Sequence, residues 1–130
     1  LRTSKDAQPL SSEQIVTLIR QHLDCANASR LPTLIVASAY KAAGGMMSEI
    51  ARPLKAHNAA DSQTGAYGDV EITLVNDDDI VTCYEMKDKK VTRNDIAIAL
   101  GKIKLISKSL DNYVFITTDE IDPLVQEYAT

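Results

Sequence analysis

Apolar residues recur along the chain at two different periods. Ile15, Ile19, Leu23 and Ala26 return every three or four positions, with Val16 and Leu18 beside them, which predicts an amphipathic helix with one face buried to about Cys25. Ser11-Ser12-Glu13-Gln14 reads as a capping box, Ser11 bonding forward and Gln14 reaching back, so the helix starts there, and Asn27 to Arg30 closes it. Pro32 suits the first turn of a second helix, and Thr33 to Ala43 is apolar on nearly every side, which predicts a central, buried helix. Gly44-Gly45 ends or kinks it, and Pro53 forbids an unbroken continuation through Ser48 to Lys55. Residues 56–68 read as a connector rich in Ala, Asn, Ser, Gln and Gly.

From Val70 the period becomes 2. Val70, Ile72 and Leu74 fall on one face of a strand, Asp69, Glu71 and Thr73 on the other. Asn76 to Asp79 is a polar turn, and Ile80 to Lys87 is a second strand, most simply antiparallel to the first because the loop is short. Thr92 with Asp95 three residues on resembles a capping box, and Ile96, Leu100, Ile103 and Ile106 or Leu110 line one face of the next helix, with Lys102, Lys104 and Lys108 pointing elsewhere. Tyr113 to Thr117 is a short strand and Pro123 opens a last helix, Leu124 to Ala129. The order α-α-β-β-α-β-α predicts an α/β fold with a mixed central sheet flanked by helices, the strand at Tyr113 reached by a helical crossover.

The 130 residues match one domain, and 45% hydrophobic with 25% charged residues is ordinary globular composition, so disorder and disulfide-dense scaffolds are excluded. No apolar run approaches a membrane span. The first residue is not Met and no basic-then-apolar leader follows, which predicts a piece of a longer chain without a secretory signal. Cys25 and Cys83 lack metal-type spacing and predict a reduced, cytoplasmic pair. The net charge of −4 argues against coating nucleic acid by charge alone, but not against a nuclease that approaches DNA through bound metal and a local basic surface.

The strand Ile80 to Lys87 carries the informative anomaly. Alternation puts Val81, Cys83, Glu85 and Lys87 on one face, so a face that starts apolar ends with a carboxylate and an ammonium. Asp69, on the first strand of the same hairpin, approaches them from the adjoining strand. Gly68-Asp69 … Glu85-Met86-Lys87 resembles the D … (D/E)xK signature of the PD-(D/E)xK nuclease superfamily, with Gly68 where the motif's name has Pro. The segments SRLPTLIVASAYKAA, QTGAYGDVEITLVNDDDIVTCYEMKDKKVT and NYVFITTDEID are similar to the SacI family of type II restriction endonucleases over most of residues 11–129.

That resemblance implies a restriction-endonuclease-like core and Mg²⁺-dependent hydrolysis of DNA phosphodiester bonds. Asp69, Glu85 and Lys87 are the implied catalytic residues, and Asp69, Glu85 and the Met86 carbonyl the implied share of an octahedral, oxygen-rich Mg²⁺ site. Lys87 then orients the attacking water, or assists its deprotonation, and steadies the scissile phosphate. Relief of carboxylate repulsion predicts that Asp69→Ala or Glu85→Ala leaves the fold intact or slightly more stable. Glu49, after the buried helix, and Glu71, on the face of Asp69, are further ligand candidates, against readings as a solvated helix charge and an outward strand residue.

Lys89, Lys90, Arg93, Lys102, Lys104 and Lys108 form the best basic surface, with Lys89, Lys90, Arg93, Lys104 and Lys108 the candidate contacts to double-stranded DNA, against a reading as a solvated helix face. Gln63 and Thr64 sit where a loop touches DNA or is simply a loop. Asp77-Asp78-Asp79 lacks the pattern of a calcium loop, and His22 and His57 have no partner at ligand spacing. A core of this length leaves few long loops to read bases, so site-specific cutting is expected to need a homodimer or further segments of the parent chain. The alternatives are a non-catalytic DNA- or protein-binding domain with the nuclease fold and a repair or junction-resolving nuclease.

Overall fold

A computed structural model describes residues 9–25, 30–44, 46–54, 66–106 and 110–129. Helix α1 (Ser12–Leu23) opens with the expected capping box, the Ser11 hydroxyl accepting from the Gln14 amide and the Gln14 side chain accepting from the Ser11 amide. Helix α2 (Leu31–Ala43) has Pro32 in its first turn and ends at Gly44. Strands β1 (Glu49–Ala51), β2 (Val70–Leu74) and β3 (Ile80–Lys87) follow, then α3 (Arg93–Ile103), β4 (Asn112–Thr117) and α4 (Pro123–Ala129). The sheet order is β1-β2-β3-β4, with β1, β2 and β3 antiparallel in turn and β4 parallel to β3. The fold is therefore α/β with a mixed four-stranded sheet flanked by helices, and α3 makes the crossover that a parallel pair needs.

Strand β1 is absent from the expected order. Ile50 is its only β-branched residue and it is three residues long, too short for a period to register. The β2 ladder organises it: Val75 donates to the Ser48 carbonyl at 2.9 Å and Arg52 to the Glu71 carbonyl at 2.8 Å. Pro53 then ends the pairing at the sheet edge, where a missing N–H is harmless.

The sheet is covered on both faces, so alternation does not sort its residues into inside and outside. On one face Val70, Ile72 and Val81 pack with Val36 and Tyr40 of α2. On the other, Ile80, Cys83 and Ile106 pack with Tyr67, Leu110 and Tyr113. Glu71 and Thr73, read as outward-facing, are buried, whereas Leu74, read as inward, is exposed. A β-bulge also shifts parity in β3: Ile72 opposes Thr82 but Thr73 opposes Ile80, so Val81 is the extra residue. Val81 accordingly joins Ile72, and Ile80 instead joins Cys83.

The helices differ from expectation in depth. No residue of α1 or α2 is fully buried, and Ile15, Val16, Leu18 and Leu34 are exposed, so α2 covers the sheet with one side only instead of forming a central buried helix. Helix α3 buries Ile96 and Ala99, leaves Leu100 exposed and ends at Ile103, so Ile106, expected on the same helix face, is buried from the turn that follows. Its capping box is as expected, Thr92 accepting from the Asp95 amide and Asp95 from the Thr92 amide. Among the described residues no helix is long and apolar enough to cross a membrane.

Candidate active site

The charged end of β3 lies against α3 and β4. Glu85 and Lys87 share the sheet face of Cys83, and the parallel register brings Tyr113 of β4 beside Cys83 and Phe115 beside Glu85. Tyr113 Oη lies 2.9 Å from Glu85 Oε2 and 2.9 Å from the Tyr67 carbonyl, and its single proton is donated to one or the other. Lys102 Nζ of α3 donates to the same Oε2 at 3.2 Å. Lys87 Nζ lies 3.6 Å from Glu85 Oε1 and 3.1 Å from Asp95 Oδ1. Two ammonium groups and a phenol therefore surround one largely shielded carboxylate.

Asp69 closes the arrangement from β2's leading end. Its amide donates to the Tyr84 carbonyl at 2.8 Å, and its Oδ2 accepts the Met86 amide at 2.7 Å. The N–H and C=O of one strand residue leave the strand on the same side, so the Met86 carbonyl also turns toward Asp69. Asp69 thus joins the Met86 peptide, with Glu85 and Lys87 on either side of Met86 along the strand.

Gly68 makes this approach possible. A Cβ there would lie 2.8 Å from the Tyr84 carbonyl oxygen, a backbone atom that cannot swing aside. Gly68→Ala is expected to cost about 1–3 kcal/mol through overpacking. Urea unfolding checks this, and an unchanged midpoint would contradict the close approach.

Titration follows the same contacts. Burial disfavours the Lys87 ammonium, but the hydrogen bond to Asp95 and the charges of Glu85 and Asp95 outweigh it, so its pKa lies above the ordinary value. Burial, then the Glu85 charge and hydrogen bond, raises Tyr113, which stays a neutral phenol and a donor. The Thr92 hydroxyl holds Asp95 below the usual carboxylate value, with Lys87 adding to the effect. Burial, reinforced by Glu71, pushes the Cys83 thiol up to about 12, which makes it a packing residue and no nucleophile. Cys25 and Cys83 are both free thiols.

A family model of the SacI restriction endonuclease C-terminal domain matches residues 7–118. The chain belongs to that family. No curated protein matches it. The matched stretch contains every strand of the sheet and Asp69, Glu85, Lys87, Asp95, Lys102 and Tyr113, so the polar cluster lies within the part shared with the SacI C-terminal domain.

The other candidates are placed elsewhere or held by different partners. Glu49 pairs with Leu74 in β1, on the α2 face of the sheet beside Tyr40, so it is a strand residue across the sheet from Glu85. Glu71 is 6% exposed: its Oε1 accepts the Tyr67 amide at 2.7 Å and its Oε2 lies 3.4 Å from Arg52. It is a buried bracing residue, neither outward nor joined to Asp69 and Glu85, and among the described residues no three His, Cys, Asp or Glu side chains gather as a metal site. Asp77 caps the hairpin turn by accepting the Asp79 amide at 2.9 Å.

The basic surface is split. Lys89 and Lys90 are exposed just beyond β3, and the Arg93 guanidinium stands 5.6 Å from the Tyr128 ring centroid of α4. Lys104 is exposed at the opposite end of α3, about 16 Å away at 1.5 Å per residue, so it does not extend the Lys89–Arg93 patch. Lys108, Gln63, Thr64 and His57 lie outside the described residues, and His22 is exposed at the end of α1.

Lys102 was expected to point away from the core and instead enters the site. An ammonium at an inward position of α3, between Ala99 and Ile106, was the available signal. Asp95 carried a signal only as a helix cap. Nothing in the local sequence marks Tyr113, which reaches Glu85 through the parallel pairing of β3 and β4.

Proposed function

We propose that this domain is the nuclease core of a type II restriction endonuclease-like protein, hydrolysing DNA phosphodiester bonds with Mg²⁺ by PD-(D/E)xK chemistry. The observation that carries this reading is the meeting of the Asp69 carboxylate with the Met86 peptide beside Glu85 and Lys87. The donor set fits the ion: two carboxylates and a peptide carbonyl are hard oxygen ligands that leave positions for water and phosphate. Asp69, Glu85 and the Met86 carbonyl would hold it, and when bound it supplies a Lewis acid and an acidified water.

The chain's own part is positioning and charge. Asp69 is fixed by the Met86 amide, and Glu85 by Tyr113 and Lys102. Lys87, braced by Asp95, orients the attacking water and steadies the phosphate as negative charge develops. Lys89, Lys90 and Arg93, immediately after the ExK strand, suit contact with flanking phosphates, which positions a duplex without reading it. A second copy, or further segments of the parent chain, would supply base recognition, and the exposed apolar residues Ile15, Val16, Leu18 and Leu34 suit a covering partner.

A second reading, a domain that binds DNA without cutting it, is favoured by the neutralisation of Glu85 by two ammonium groups. Incubation with supercoiled plasmid separates the two. The nuclease reading expects nicking in Mg²⁺ or Mn²⁺ that stops with EDTA. Plasmid binding without cleavage in either ion would favour the binding domain.

A further inference from the structure

The strongest unexplained feature is Lys102, a lysine in the inward stripe of α3 where an apolar side chain is expected. Its side chain is 18% exposed and that of Glu85 17%. Of the two ammonium groups at Glu85, that of Lys102 is the nearer, at 3.2 Å from Oε2, and it shares that oxygen with Tyr113. Lys87 stands 3.6 Å from Oε1 and is closer to Asp95, at 3.1 Å.

We propose that Lys102 is the internal counter-cation of Glu85 in the metal-free protein, and that a divalent ion must displace it to bind. The inference rests on the reading of Glu85 as a metal ligand. A divalent ion and an ammonium on one carboxylate repel strongly in a shielded site, because charges a few ångströms apart are weakly screened there. Lys87 stands farther from Glu85 than from Asp95, whereas Lys102 holds Oε2 directly. An ion arriving at Oε2 therefore displaces the Lys102 contact, and the metal's net affinity is lowered by the lost pair. The pair thereby keeps Glu85 compensated in the absence of metal, since an isolated shielded carboxylate is costly.

The test is calorimetric titration of Mn²⁺ into the parent, Lys102→Met and Glu85→Gln proteins, without DNA, beside thermal melting of each. Lys102→Met is expected to bind Mn²⁺ about tenfold tighter than the parent, a gain of about 1.4 kcal/mol. Its metal-free melting temperature should fall and its Mn²⁺-induced rise should grow, while Glu85→Gln binds weakly. If Lys102→Met does not fold, Lys102→Gln takes its place, with the same direction expected. Parent binding that depends on Glu85 but is equal or weaker in the Lys102 variant would overturn the counter-cation role and leave the metal reading intact. Absence of binding in both parent and Lys102 variant would overturn the metal reading and the inference with it.

Discussion

Asp69→Asn and Glu85→Gln are each expected to lower Mg²⁺-dependent DNA cleavage by about a thousandfold or more, equivalent to about 4 kcal/mol of transition-state stabilisation. On the proposed reading each removes one negative hard-oxygen ligand while keeping size and hydrogen-bonding reach, so the loss belongs to the chemistry and not to packing. The consequences for stability should differ. Asp69→Asn keeps an oxygen to accept the Met86 amide at little cost. Truncation of Glu85 to Ala leaves the Lys102 ammonium and the Tyr113 hydroxyl without their carboxylate in a shielded layer, and should cost about 2–3 kcal/mol. The contacts of Glu85 with the Tyr113 hydroxyl, Lys102 and Lys87 argue for this loss in place of the slight gain that relieved carboxylate repulsion would give. Single-turnover cleavage and urea unfolding of the same preparations check both parts. Variants that cut as fast as the parent would remove both residues from the site.

Lys87→Met should slow cleavage by about a hundredfold or more while changing Mn²⁺ affinity less than about threefold, because the proposed role of its ammonium is at the water and phosphate and not as a ligand. The methionine replaces the stem in a half-buried position, and Asp95 keeps its hydrogen bonds to Thr92, so the start of α3 should remain capped. Calorimetry beside single-turnover cleavage reads the two effects separately. Weaker metal binding with unchanged cleavage would contradict the assigned role.

The elements with strong local signals were legible in the sequence: both capping boxes, the β2–β3 hairpin with its aspartate turn, and the crossover helix leading to β4. The break in the apolar face of β3 at Glu85 and Lys87, two positions apart, was legible in the sequence, and Asp69 entered as a candidate through the hairpin and the D … (D/E)xK resemblance. What was hidden depends on pairing distant in sequence. Strand β1 exists through β2, the bulge at Val81 reverses parity within β3, and Tyr113 and Lys102 reach Glu85 only once β4 and α3 have docked. Glu71 misled for a related reason. Period 2 places it opposite Ile72, but a sheet covered on both faces buries both, and the carboxylate is accommodated by Arg52 and the Tyr67 amide.

On the proposed reading, Asp69, Glu85 and the Met86 peptide form a divalent-metal site. Paramagnetic broadening of backbone amide resonances by Mn²⁺, added in small steps to isotopically labelled protein, locates that site. The amides of Asp69, Glu85, Met86 and Lys87 are expected to broaden first, and Glu85→Gln to abolish the effect. Broadening that begins at the Asp77–Asp79 turn, or spreads evenly over the acidic surface and persists in Glu85→Gln, would contradict that reading.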